Sequence, residues 1–173
     1  MLDILSQVEH VLPALLQDES RWQSLYVDYH PPTVERLWTA WGEYRVNLHR
    51  IYPCEREQAL FHPHPWPSAM HILTGEYEMA VGYGTGLEPP PIAARMIARQ
   101  DFRYEMTHPD SWHSVRPLGE PTLSVMVTGL PWVREAPKVG KPLHPLSADQ
   151  KAELYQRFRV LYPIGTTAHA DAP

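Results

Sequence analysis

Apolar residues fall at helical spacing only at the two ends of the chain, and at strand spacing between them. Over residues 1–19, Leu2, Leu5, Val8, Leu12, Leu15 and Leu16 line one side of a helix, and Pro13 is expected to kink or divide it. From residue 25 onward the period shortens. Residues 26–29, 34–41 and 44–52 read as strands, with Gly42-Glu43 as the turn between the last two. Further strands are expected at 70–73, 77–83, 92–99, 102–106 and 122–128, and the Gly- and Pro-rich run 84–91 interrupts them. Ser147 followed by Gln150 forms a capping box. It opens a last helix whose apolar stripe is Leu154, Phe158 and Leu161. The pattern predicts an all-β fold with flanking helices, divided as a helical segment at 1–24, a barrel at 25–135, and a C-terminal helix with a disordered tail at 136–173.

Composition narrows the function classes. The 173 residues suit one domain, and 19 prolines with 6 tryptophans favour short strands and turns over a helical bundle. A formal charge of −5 lacks the basic stripe of a nucleic-acid binder, so no nucleic-acid partner is expected. The N-terminal helix carries Asp3 and Glu9 without a basic leader, and no apolar run is long enough to span a bilayer. A cytoplasmic protein without a membrane partner is expected. The single cysteine, Cys54, excludes an intramolecular disulfide and fits a reducing compartment; it reads as a reactive thiol or a ligand or, more commonly, an inert buried residue.

Chemistry concentrates in residues 61–75, FHPHPWPSAMHILTG. His62 and His64 stand two apart, so on an extended strand both rings project from one face and reach one ion. A later turn, residues 109–113 (PDSWH), delivers His113 as a third corner, with His108 as its competitor. Neutral imidazoles suit Fe, Zn, Ni or Cu. The same alternation turns Ser68, Met70 and Ile72 inward and His71 outward. Trp66 and Trp112 flank the proposed ligands, as pocket walls or as packing. On the strand at 44–52, Val46, Leu48 and Arg50 share one face. If that face looks inward, Arg50 is the cation nearest the mouth and the candidate catalytic anchor for a substrate carboxylate; otherwise it is a solvated arginine.

These two segments, in this order, resemble the paired metal motifs of the cupin superfamily. His62 and His64 match its His-x-His, Gly75 matches the glycine that closes the first motif, and His113 matches the histidine of the second; the usual glutamate position falls on Ser68. The resemblance implies a cupin double-stranded β-helix, or jelly-roll barrel, with a three-histidine metal site at His62, His64 and His113. Three-histidine cupins include Fe(II) dioxygenases of thiols and of diketones. It implies a mononuclear non-haem Fe(II) dioxygenase taking dioxygen and a small, anionic, chelating substrate, in a homodimer. The alternatives are a non-redox isomerase, lyase or hydrolase using Zn, Ni or Mn, and a ligand-binding regulatory cupin without turnover. The outer-sphere Ser-x-His-x-Tyr run of cysteine dioxygenase has no counterpart in residues 122–128, TLSVMVT, so that family's substrate contacts are not carried over.

Overall fold

Strand β10 (Thr122–Thr128) is buried along its whole length. It has strand neighbours on both edges and packed layers on both faces, which its unbroken run of small, branched and apolar residues permits. In the computed structural model, which describes residues 1–133 and 142–164, β10 sits at the centre of a six-stranded antiparallel sheet. The other members are β1 (Gln23–Val27), β2 (Val34–Trp41), β3 (Tyr44–Ile51), β5 (Ser68–Thr74) and β8 (Arg103–Met106), in the order β1-β2-β3-β10-β5-β8. The second sheet is β4-β9-β6-β7, built from β4 (His62–Pro63), β6 (Glu76–Tyr83), β7 (Ile92–Arg99) and β9 (Ser111–Pro117). Two helices complete the fold, α1 (Leu2–Leu15) and α2 (Ala148–Leu161).

The two faces of the large sheet carry different cores. One face presents Leu37, Val46, Leu48, Val125 and Val127 to Leu5, Val8 and Leu12 of α1 and to Leu154 and Phe158 of α2. Each of these side chains, fully removed from water, contributes about 1.5–3 kcal/mol before entropy is counted. The other face looks into the barrel, where Ile72 packs with Tyr77, Met79 and Ala98 of the small sheet.

Local signals account for the joints. Gly42 has φ +59° in the β2–β3 hairpin, and Gly75 has φ +74° between β5 and β6, where an added Cβ would stand 3.0 Å from the Thr122 methyl carbon. Ser147 caps α2 by accepting from the Gln150 amide, and the Gln150 side chain accepts from the Ser147 amide. Pro13 lies near the end of α1 and does not divide it. The bond lost with its missing N–H comes where few helical bonds remain. The expected disordered tail falls on residues outside those described. No helix among the described residues is long and apolar enough to cross a membrane.

Candidate metal centre

His62 lies opposite His113 in the β4–β9 pairing, and His64 follows two residues later with its ring on the same side. One nitrogen from each of the three rings lies within 4.8 Å of the other two. The ring centroids are 5.0 Å apart for His62 and His113, 5.4 Å for His62 and His64, and 4.6 Å for His64 and His113. Nε2 of His64 and Nε2 of His113 face each other at 3.0 Å. Two imidazoles bound side by side to one ion at about 2.1 Å bring their nitrogens to about 3 Å, so the spacing fits a shared cation.

The far side of each ring is held. His62 Nδ1 is 3.0 Å from the Leu60 carbonyl, which only accepts, so Nδ1 carries the proton and Nε2 the lone pair. His64 Nδ1 is 2.8 Å from Ser68 Oγ. His113 Nδ1 lies 3.5 Å from the hydroxyl of Tyr104, which accepts from Tyr77 at 3.1 Å and donates to Met70 Sδ at 3.2 Å. Such outward contacts fix tautomer and ring orientation in histidines that hold metals. Burial pushes all three imidazoles down in pKa, His62 to about 4 and the other two well below the ordinary value, and their neighbouring imidazoles add to the shift for His64 and His113. All three are therefore neutral near pH 7, the state that donates a lone pair. Burial likewise raises the phenols of Tyr77 and Tyr104, so both remain protonated.

Ser68 stands where the cupin motif carries a glutamate, and the structure gives it to His64. Replacing Ser68 with alanine is expected to weaken divalent-metal binding by about 10- to 100-fold while leaving the fold intact, as measured by competition against a chelator.

The other candidates are placed elsewhere. His108 is exposed and hydrogen-bonded to the Tyr83 hydroxyl. His71 faces α1, with Nδ1 2.6 Å from Glu9. Trp112 precedes His113 on β9 and so points the opposite way, donating to the Gly84 carbonyl at 2.9 Å and lying against Phe61. Trp66 does sit against the site, its ring 5.2 Å from that of His64. Cys54 is half-buried, and burial raises its thiol.

Arg50 is not brought to the histidines. The expectation that it anchors substrate required Val46 and Leu48 to face the barrel interior, but they pack toward the helices and take Arg50 with them. Its Nε donates to Glu35 at 2.6 Å and its NH1 to Glu153 of α2 at 2.8 Å, while Gln150 donates to the other oxygen of Glu35. Arg50 thus ties the sheet to α2. Arg50→Met removes the cation facing a carboxylate that is only 2% exposed. It is expected to cost about 3–5 kcal/mol in urea denaturation with metal content unchanged.

The interior face of β3 instead presents Asn47 and His49. Across β2 from His49 stands Arg36, whose Nε donates to His49 Nε2 at 2.9 Å. After burial, the Arg36 charge adds a smaller lowering to both His62 and His64. The hairpin register was a usable signal for this pair. A turn at Gly42-Glu43 sets Trp41 opposite Tyr44 and hence Arg36 opposite His49.

No protein-family model matches the chain, and no curated protein matches it. Solved structures do. Hydroxypropylphosphonic acid epoxidase from S. wedmorenis aligns at 12% identity over 65% of this chain and 57% of that one, with a TM-score of 0.50. KdgF from Halomonas sp. aligns at 11% identity over 60% of this chain and 84% of that one, with a TM-score of 0.45. AerE from Microcystis aeruginosa aligns at 18% identity over 75% and 55%, with a TM-score of 0.48. The chain spans little more than half the length of the epoxidase it resembles. At such identities the likeness is one of fold: an all-β, cupin-like barrel with flanking helices.

Proposed function

We propose that this protein is a metal-dependent cupin enzyme, a mononuclear non-haem Fe(II) dioxygenase of a small, anionic, chelating substrate, with His62, His64 and His113 as the protein ligands. The observation that carries this reading is the convergence of three neutral imidazoles, each oriented from behind, with no carboxylate in the cluster among the described residues. Three neutral ligands leave the full charge of a divalent ion uncompensated, which favours an anionic substrate, and they leave positions for substrate and dioxygen. Bound Fe(II) would supply the one-electron chemistry that lets dioxygen react with a closed-shell organic molecule.

The chain's own contribution is to position and exclude. Ser68, the Leu60 carbonyl and Tyr104 hold the three rings in place. Ile72, Tyr77 and Met79 close the interior beside them and keep water out of the apolar side. A neighbour in fold, the epoxidase, is by name an enzyme of hydroxypropylphosphonic acid, a small organic anion, and this accords with the proposed substrate class. The exposed edge of β7, with Ile92, Met96 and Ile97, supports a homodimer, and the lone Cys54 supports a cytoplasmic location.

Oxygen consumption tests the reaction class. Protein stripped of metal and reloaded anaerobically with Fe(II), Zn(II), Ni(II) or Mn(II) is offered diketones, thiols and hydroxy- or oxo-acids in an oxygen electrode. Uptake with Fe(II) alone is the expected result. Turnover with Zn(II), Ni(II) or Mn(II) and no oxygen uptake would replace the dioxygenase by an isomerase, lyase or hydrolase, and ligand binding without turnover under any metal would leave a regulatory cupin.

A further inference from the structure

Several described arginines, buried or exposed, are paired with acids: Arg50 with Glu35 and Glu153, Arg56, Arg95 and Arg116 with Glu78, and Arg103 with Glu9. Arg36 is different. It lies on the interior face of the hairpin, and among the described residues it meets no carboxylate. Its one hydrogen bond is from Nε to the neutral ring of His49, so the two terminal nitrogens of the guanidinium have no acceptor among those residues. Arg45 adds a second cation nearby, stacked at 4.4 Å over Trp38, two residues further along the same face of β2. Ser124, directly across from His49 on β10, is fully buried with an Oγ that has no hydrogen-bond partner among the described residues. Arg36 is half-buried, and its terminal nitrogens keep access to solvent, as a group that takes up a soluble anion must.

We propose that Arg36, braced by His49, is the anchor for an oxyanion tail of the substrate, a carboxylate or phosphonate, while the other end of the same molecule binds at the three histidines. The proposal rests on the metal-centre reading above for that second end. The geometry divides the work within the guanidinium. Nε is taken by His49, which fixes the plane of the group, and the terminal nitrogens are left as the two-pronged donor that matches an oxyanion. His49 is a positioning residue: its Nε2 accepts from Arg36, so its proton resides on Nδ1. Burial lowers the Arg36 guanidinium to about 10, still protonated at neutral pH, so the anchor is charged before substrate arrives.

The test pairs one metal-binding head with three tails, two anionic and one neutral. Zn(II)-loaded protein is titrated calorimetrically with the monohydroxamic acid of succinic acid, with its phosphonate-tailed analogue, and with the same hydroxamate ending in a carboxamide. One of the anionic tails is expected to tighten binding by about 30-fold over the carboxamide, a charge-assisted two-pronged contact. Arg36→Gln should abolish that preference while leaving the carboxamide probe and the Zn(II) content unchanged, and Arg36→Lys should restore only part of it. Equal affinity for charged and neutral tails in the unaltered protein, or a preference that survives Arg36→Gln, would overturn the proposal. A second arm separates it from the metal reading. In metal-free protein, propionate and methylphosphonate are titrated against the Nε–H resonance of Arg36, assigned by its loss in Arg36→Gln. Saturable movement supports the anchor even if no hydroxamate binds and the metal reading fails; a resonance that neither anion moves counts against the anchor even if metal binds well.

Discussion

Alanine at His64 or at His113 is expected to abolish metal retention. Each ring supplies one of three lone pairs aimed at a common point, and each is buried, so no neighbouring side chain or bulk water inherits its position. Mutations that only disturb the groups behind a ligand lower metal affinity by about 10- to 100-fold; removal of the ligand itself should exceed that range. Protein purified without chelator is expected to carry close to one equivalent of metal, and either variant less than a tenth of it, by elemental analysis. His108→Ala, at an exposed ring outside the cluster, should match the unaltered protein.

The metal-free protein will unfold steeply in mild acid. His49, His62, His64 and His113 all have pKa values depressed by burial, His62 to about 4, whereas in the unfolded chain each titrates near 6.5. Between those two values the unfolded chain holds protons that the folded one does not. The stability that depends on these groups is therefore intact above about pH 6.5 and lost as pH falls from there toward 4. Each group contributes a slope of about 1.4 kcal/mol per pH unit, so four acting together approach about 5 kcal/mol per unit. Against a total of about 5–15 kcal/mol for a domain, that slope places the transition between about pH 4 and 5.5. Circular dichroism across pH, with proton uptake measured by potentiometry, should show a cooperative transition taking up three to four protons, about one for each buried imidazole. His64→Leu, which replaces one of those bases with an apolar group, should remove one proton from the uptake and move the transition to lower pH. A broad transition near pH 3 with the uptake expected of carboxylates alone would mean that the imidazoles are not buried as described.

Much of the scaffold is written locally. The β2–β3 hairpin follows from Gly42-Glu43, the cap of α2 from Ser147 and Gln150, and the span of β10 from seven consecutive residues that favour burial. The histidine cluster was legible for a related reason. His-x-His fixes two rings on one side of a strand, and Gly75 marks the turn whose positive φ ends the motif. Which face of β3 looks inward was not legible. One face carries Val46 and Leu48 and the other Asn47 and His49, and period-two alternation separates the faces without saying which one the helices cover. The barrel interior here is the more polar side, the reverse of the usual association of apolar with inside, because the site occupies it. Arg50 therefore lies on the helix-covered face, and Arg36, which the spacing did not single out, lies on the interior one. Tyr104, like Tyr52, could be named as a phenol but not placed: it reaches His113 only because β8 pairs with β5, setting Tyr104 opposite Met70, and such a long-range pairing leaves no mark in local spacing.

The most direct test is X-ray absorption at the metal edge of protein loaded anaerobically with one equivalent of Fe(II). Three imidazoles in the first coordination sphere, at about 2.0–2.2 Å and with the multiple scattering characteristic of the ring, are the expected result. Fewer than three imidazoles, or a sulfur neighbour from Cys54 or a methionine, would contradict a centre built from His62, His64 and His113.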